Sequence, residues 1–298
     1  MTQPRPRRQP ARAVVVAIHN ASRVALVMAV VAVALVGADA AVAVSRTAHP
    51  ATPASVTAPV LSATVDSDPV IAAAGTTPPA TLSNRAQRQT ERSAAQAALA
   101  KALSDALAKS SVHTIARNSS KRYGASIFDT YGTKSGGMQH LSIYGGNILV
   151  RVVGPITYFT GDRRGLTHFF GFTADEVAVL HHQWLTLTSG QAGYTGTTIG
   201  ITLPSILRLD RIAGPLQLLA QRTRDGVDVI GVRGYAGGKT FGKHAVATMW
   251  ISTDSDPLPV EFVVKSRLKQ STQTFSGWDD PIHVVRPTNV FGAKTLAG

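Results

Sequence analysis

The sequence contains no cysteine, which excludes a disulfide framework, thiolate metal ligands and a catalytic thiol together. Aromatic residues are scarce, at 6%, and the cations among them are scattered singly, so the stacking platforms of nucleic-acid binders are missing and no nucleic-acid partner is expected. Acidic residues are few, 17 against 30 Lys and Arg. The neighbouring acids Asp175 and Glu176, Asp254 and Asp256, and Asp279 and Asp280 stand at helix starts or turns, where carboxylates cap and bend the chain. No Gly-x-Ser-x-Gly elbow occurs. His181 and His182 are adjacent, so on a helix they project about 100° apart, and His113, His140, His168, His244 and His283 lack carboxylates at ligand spacing. In "GGKTFGKH" (237–244) His244 stands where a phosphate loop needs a Ser or Thr for magnesium, and a strand-like run follows where a helix is required. A glycine-rich hairpin turn explains that stretch. These absences predict a protein that is not an enzyme and holds no cofactor or metal.

What is present begins with charge. The formal net charge is +13, and residues 45–298 alone retain 25 basic against 16 acidic residues, a balance that favours anionic surfaces. Residues 1–23 form a basic N-terminus containing Arg5, Arg7, Arg8, Arg12 and Arg23. From Val24 to Ala38 the chain is uncharged, and the apolar character resumes after Asp39 up to Val44. This segment, 24–44, reads as a transmembrane anchor or a signal segment, with small-x-small sites at 38–40 and 41–43. The upstream arginines keep the N-terminus cytoplasmic and send the remainder across the membrane. Residues 45–83, rich in Ala, Pro, Thr and Ser without a sustained period, read as a disordered tether.

Residues 84–298 carry the pattern of a folded domain. Leu99, Leu103, Leu107 and Ala95, Ala102, Ala106 recur at steps of three and four through a stretch running to Arg117, which predicts an amphipathic helix. The period then changes to two in "ASIFDTYG", "MQHLSIYGG", "NILVRVVGP" and "ITYFTG", successive antiparallel strands. In "NILVRVV" Arg151 marks the wetter face, leaving Ile148, Val150 and Val152 on the inner one. Thr173 and Glu176 have capping-box spacing, so a short helix begins near Ala174. "LPSILRLDRIAGPLQLLAQRT" reads as a second helical zone with Pro204 in its first turn and a division at Gly214-Pro215. Strand-like runs return in "GVDVIGVRGY", "HAVATMWIS", "PVEFVVKS", "STQTFSGW" and "IHVVRP". Helix, strands, helices, strands is an α+β order with the helices gathered on one face of an antiparallel sheet.

Taken together, "NILVRVVGPITYFTG", "HHQWLTL", "VIGVRGY", "ATMWISTDSDPLPVEFVV" and "FSGWDDPIHVVRP" resemble the LppX/LprG-type envelope lipoproteins of actinobacteria, in the LolA-like superfamily, over about residues 90–290. The resemblance rests on Y-x-x-G after a hydrophobic hairpin, W-x-x-L after a helix, LPV after a turn and F-x-x-W near the end. It implies a strongly curved antiparallel half-barrel with helices across its mouth, enclosing an apolar cavity for lipids or glycolipids, outside the membrane. It supplies no catalytic residues. This chain departs from the family in lacking the cysteine that is lipidated after the signal segment.

A curved sheet whose concavity is only partly filled by helices leaves an apolar cavity. On that basis Ile148, Val150, Val152, Val260, Phe262 and Val264 are the candidate cavity-wall residues, and the expected partners are a lipid or other apolar ligand and, through the N-terminal segment, the membrane. The alternative is an envelope interaction or scaffold module that uses the same fold with a filled interior. In "TMWISTDSDPLPVEFVVKS" (248–266) Asp254 and Asp256 are expected to bond backbone amides in a turn, since a calcium loop needs a central glycine and a terminal glutamate.

Overall fold

The computed structural model describes residues 80–121, 124–191, 193–237, 241, 244–267 and 269–291. The basic N-terminus, the apolar run 24–44 and the tether up to residue 79 lie outside them, as do 238–240, 242 and 243 of the glycine-rich stretch. Among the described residues no helix is long and apolar enough to cross a membrane.

The chain runs through helix α1 (Ala80–Ala108), strands β1 (Ser111–Ser120), β2 (Gly124–Thr133), β3 (Gly137–Ile143), β4 (Gly146–Val153) and β5 (Ile156–Gly161), then helices α2 (Arg163–Phe170) and α3 (Ala174–Leu180). Strand β6 (Leu185–Thr188), helices α4 (Tyr194–Thr198) and α5 (Leu203–Leu209), and strands β7 (Ile212–Arg224), β8 (Val227–Ala236), β9 (Val246–Ser252), β10 (Pro259–Lys265) and β11 (Lys269–Ser276) follow. The strands form one curved antiparallel sheet in the order β6-β5-β4-β3-β2-β1-β11-β10-β9-β8-β7. Two meanders are thus laid side by side, and the pairing of the first strand with the last joins them.

Alternation along the strands sends one set of side chains to the helix-covered inner face. Ile148, Val150 and Val152 of β4 are buried there while Leu149 between them is exposed. They form one core with Phe128, Leu141, Phe159, and Phe169 and Phe170 of α2. A second core joins Ala95, Leu99, Ala102 and Ala106 of α1 to Val232, Met249, Phe262 and Val264. The alanine stripe lets α1 lie against the sheet, and Leu107, one of the expected periodic positions, is exposed instead.

Glycine sets how near the cover can come. A Cβ on Gly146 would sit 2.3 Å from the backbone nitrogen of Gly165 in α2. On Gly132 and Gly137 it would sit 2.6 Å and 2.7 Å from the carbonyl oxygen of Ile201, in the segment that links α4 to α5. At its start α2 is held by Asp162, which accepts hydrogen bonds from Gly165 N at 2.7 Å and from Asn147 N at 2.9 Å. Partial burial pushes this carboxyl up, but the bonds donated by Gly165 and Asn147 outweigh it and hold the group below its ordinary value.

Several expectations need correction. The first helix does not reach Arg117: 111–120 is β1, where β-branched and polar residues replace the alanines. It also takes in 80–83 of the expected tether. The second helical zone is helical only as α5, and its remainder is β7, with Gly214-Pro215 inside an edge strand, where a missing N–H is tolerated. Helix α2 escaped the pattern reading because it is only two turns long. "IHVVRP" is not a strand: the chain there crosses near β4, where Arg151 donates to the carbonyl of Val285 at 3.0 Å, before Val290 pairs beside Trp184 at the β6 edge. Thr173 and Glu176 do form a capping box on α3.

The acidic corner at 254–256 is a turn, closed by different bonds from those expected. Leu258 N donates to Ser252 Oγ at 3.0 Å, and Ser252 N to the Leu258 carbonyl at 2.9 Å. Asp256 instead reaches Lys109 Nζ at 2.7 Å, and the same ammonium lies 3.4 Å from Asp279. The Asp256 hydrogen bond leads the upward shift of the Lys109 pKa. The corner therefore ties the β9–β10 hairpin to the junction of α1 and β1.

Two outcomes follow from these contacts. Gly146→Ala should lose about 1–3 kcal/mol in urea unfolding, because the added methyl has only backbone to displace. The double substitution D254N/D256N should lower the melting temperature by removing the nearer of the two carboxylates on Lys109, by the same amount with and without calcium; stabilisation by calcium in the wild type alone would mark the corner as an ion site.

Candidate functional site

The two cores do not merge evenly at the centre of the sheet. On β1 the inward positions are Thr114, Ala116 and Asn118, and on β11 they are Ser271 and Gln273, paired through Ala116 with Gln273 and Asn118 with Ser271. These side chains are smaller or more polar than the Phe, Ile, Leu and Val on either flank. Their lack of bulk leaves a cleft along the seam, with a cavity volume of about 120 Å³. Phe128, Val150 and Phe169 close it from the first core, Phe262 from the second, and Thr197, Ile206 and Leu209 of α4 and α5 form its roof.

The six wall residues expected from sequence divide around this cleft. Val150 and Phe262 line it, whereas Ile148, Val152 and Val264 lie in the packed cores to either side. Val260 is half-buried at the register shift between Pro259 and Glu261. The polar lining was missed because residues 111–117 read as helix, which hides the in-out alternation of Thr114, Ala116 and Asn118.

Asp210 is the most unusual group in the cleft. It follows the last turn of α5, is 5% exposed, and accepts a hydrogen bond from Gln273 Nε2 at 3.0 Å. No cation pairs with it among the described residues. Burial pushes its pKa up to about 8, so at neutral pH the carboxyl is mostly protonated and able to donate. Gln139 Nε2 donates to Thr130 Oγ1 at 2.8 Å, while Asn118 Nδ2 is buried without an acceptor. An apolar cleft with a neutral acid and a spare amide donor in its wall can hold a hydrocarbon body and one polar oxygen.

The histidines lie elsewhere. His181 and His182, at the end of α3, meet edge to face with ring centres 3.9 Å apart. His113, solitary in sequence, gains a carboxylate in the fold: its Nε2 lies 2.8 Å from Asp129 Oδ1 and its Nδ1 3.3 Å from Ser276 Oγ. The ring stacks on Tyr131 at 4.2 Å, so this Ser–His–Asp line works as a cross-strand tie from β11 through β1 to β2. Among the described residues no group of three or more His, Cys, Asp or Glu side chains is placed to hold a metal ion.

No protein-family model matches the chain, and no curated protein matches it. Solved structures similar to it include the Mycobacterium tuberculosis lipoprotein LppX, 16% identical, with a TM-score of 0.42 over 64% of this chain and 98% of that one. LprF from Mycobacterium bovis is 14% identical, with a TM-score of 0.43 over 65% of this chain and 96% of its own. A LolA-superfamily protein from Nitrosomonas europaea is 13% identical, with a TM-score of 0.23 over 65% of this chain and 94% of its own.

Asp210 makes the domain sensitive to pH. A carboxyl whose folded pKa is raised contributes stability that is present in full below its unfolded pKa and is lost as pH rises through the folded value. Asp210→Asn keeps an acceptor for Gln273 and removes the titration. Its advantage over wild type in thermal unfolding should grow between about pH 4 and pH 8, by up to about 1.4 kcal/mol per pH unit, and level off above.

Proposed function

We propose that this domain is a non-enzymatic binder of an apolar ligand, a lipid or glycolipid whose acyl end enters the seam cleft, for transport or sensing. The observation that carries this reading is unfilled apolar volume at the centre of the sheet. Protein interiors leave few voids larger than a water molecule, and here the gap follows from small side chains set on the two central strands. An engineered apolar cavity of about 150 Å³ takes up benzene, so a cleft of about 120 Å³ accommodates the end of one chain. Deeper entry requires α4 and α5 to move outward, each buried methylene then adding about 0.8 kcal/mol. Asn118 Nδ2 and the protonated Asp210 are placed to meet an ester or hydroxyl oxygen. The apolar run 24–44 with its arginine flank supports a location beyond the membrane, tethered or exported, because cationic flanks stay on the cytoplasmic side.

One observation favours a second reading. The cleft is smaller than the roughly 300–1,000 Å³ of ordinary ligand pockets, as it would be in an envelope interaction module whose interior stays closed.

The two readings separate on ligand binding. Full-length protein purified from membranes is extracted for mass spectrometry of bound lipid and titrated with a fluorescent fatty acid. Co-purified lipid and saturable uptake are expected, and Ala116→Phe, which fills the cleft from β1, should weaken uptake about tenfold or more by excluding two or so methylenes. Absence of both bound lipid and saturable uptake in the wild type removes the lipid reading and leaves the interaction module.

A further inference from the structure

The outer face of the same strands carries a second feature, on the opposite side of β10 from the cleft. Arg222 and Arg224 of β7, Arg233 of β8, Trp250 of β9, and Glu261 and Lys265 of β10 border an open groove of about 620 Å³. Its floor follows from one small residue. Gly231 pairs with Trp250 across β8 and β9, and a Cβ there would sit 2.7 Å from Cζ3 of the indole. The glycine therefore lets the indole lie across the neighbouring strand, where Trp250 is only 3% exposed.

The register of β7 shifts between Leu219 and Arg222, and the Cζ atoms of Arg222 and Arg224 both stand 4.2 Å from the Trp250 ring centre. Stacking on an aromatic ring holds a guanidinium while leaving its in-plane N–H groups free to donate. Of the four cations, Arg224 alone meets a carboxylate, that of Glu261, and its Nε is buried without an acceptor. The side chains of Arg222, Arg233 and Lys265 form no hydrogen bond or ion pair with a described residue. Among the described residues Glu261 is the one acid bordering the groove, so most of the groove's positive charge is unanswered by them.

We propose that this groove is a binding site for a phosphate group. Cations from three strands converge over a single floor, an arrangement suited to an anion that offers several oxygens in different directions, and guanidinium forks match phosphate oxygens in pairs. The site faces away from the cleft and does not depend on lipid entering it. Its ligand is a phosphate ester, supplied either by a lipid headgroup at a bilayer surface or by a soluble molecule.

The test compares full-length wild type with the double variant R233A/K265A, whose altered side chains are exposed and unpaired, after equal melting temperatures have been verified. Each protein is titrated with glycerol 3-phosphate by calorimetry and floated with vesicles of phosphatidylglycerol or phosphatidylcholine. Both proteins keep residues 24–44, so the difference between them reports the groove and not the apolar segment. Wild type is expected to bind the phosphate probe or prefer phosphatidylglycerol, with the variant weaker by about fivefold for each cation removed and the difference shrinking in high salt. A difference confined to vesicles assigns bilayer headgroups as the source, and one confined to glycerol 3-phosphate assigns a soluble ester. Identical behaviour of the two proteins in both measurements overturns the site and leaves the cations as a solvated face that locks β7 in place. Failure of fatty-acid uptake has no bearing on this outcome.

Discussion

The distance between the sheet and its helical cover is the constraint from which the rest of this domain follows, and it is set where backbone meets backbone. The Ile201 carbonyl stands over Gly132 and Gly137, and the start of α2 rests on Gly146. At these points the cover is pinned close, with no side chain between to absorb movement. Away from them, over β1 and β11, it is separated from the sheet by Thr114, Ala116 and Ser271, which are too short to fill the space. The cleft thus arises from a cover held tightly on one side of a strip of small residues, with large apolar side chains closing both ends.

That geometry also places the polar groups. A carboxyl buried without a cation holds its proton rather than carry a charge, so Asp210 costs the fold least as a neutral acid hydrogen bonded to Gln273. Asn118, two positions further along β1 from Ala116, keeps an amide donor that no described residue uses. Strand β10 meanwhile faces two environments in alternate residues: Phe262 borders the cleft, and Glu261 and Lys265 border the cationic groove. Period-two alternation alone separates an apolar environment from a charged one across a single layer of backbone.

Much of this was legible in the sequence, and the failures have physical causes. Alternation in "NILVRVV" placed Ile148, Val150 and Val152 inward, and the Thr173–Glu176 box marked α3, because both signals are local. The α+β order with helices on one face could also be read from the succession of periods. The continuation of α1 into "SSVHTIAR" misled because alanine and leucine spacing runs up to β1 without a glycine or proline to stop it. "RIAGPLQLLAQRT" has helical apolar spacing, yet pairing with β8 overrides it, as tertiary context commonly does for a segment whose propensity is mixed. Neither site could be read directly. The cleft depends on which small residues face each other across β1 and β11, some 150 positions apart in the chain, and the groove depends on an indole lying over a glycine of the neighbouring strand.

The union of the first strand with the last has a bearing on how the domain is made. Helix α1 and β1 leave the ribosome well before β11 exists. The meander β1–β6 can zip up locally in the meantime, but the free side of β1 must wait with its N–H and C=O groups unpaired, as any exposed edge does. Non-local closure of this kind is slow and is the step at which partly folded β-proteins associate with one another. Arg117, toward the far end of that waiting edge, carries a charge of the kind that discourages such association, so β1 is furnished for a period of solitude during synthesis as well as for its place at the centre of the finished sheet.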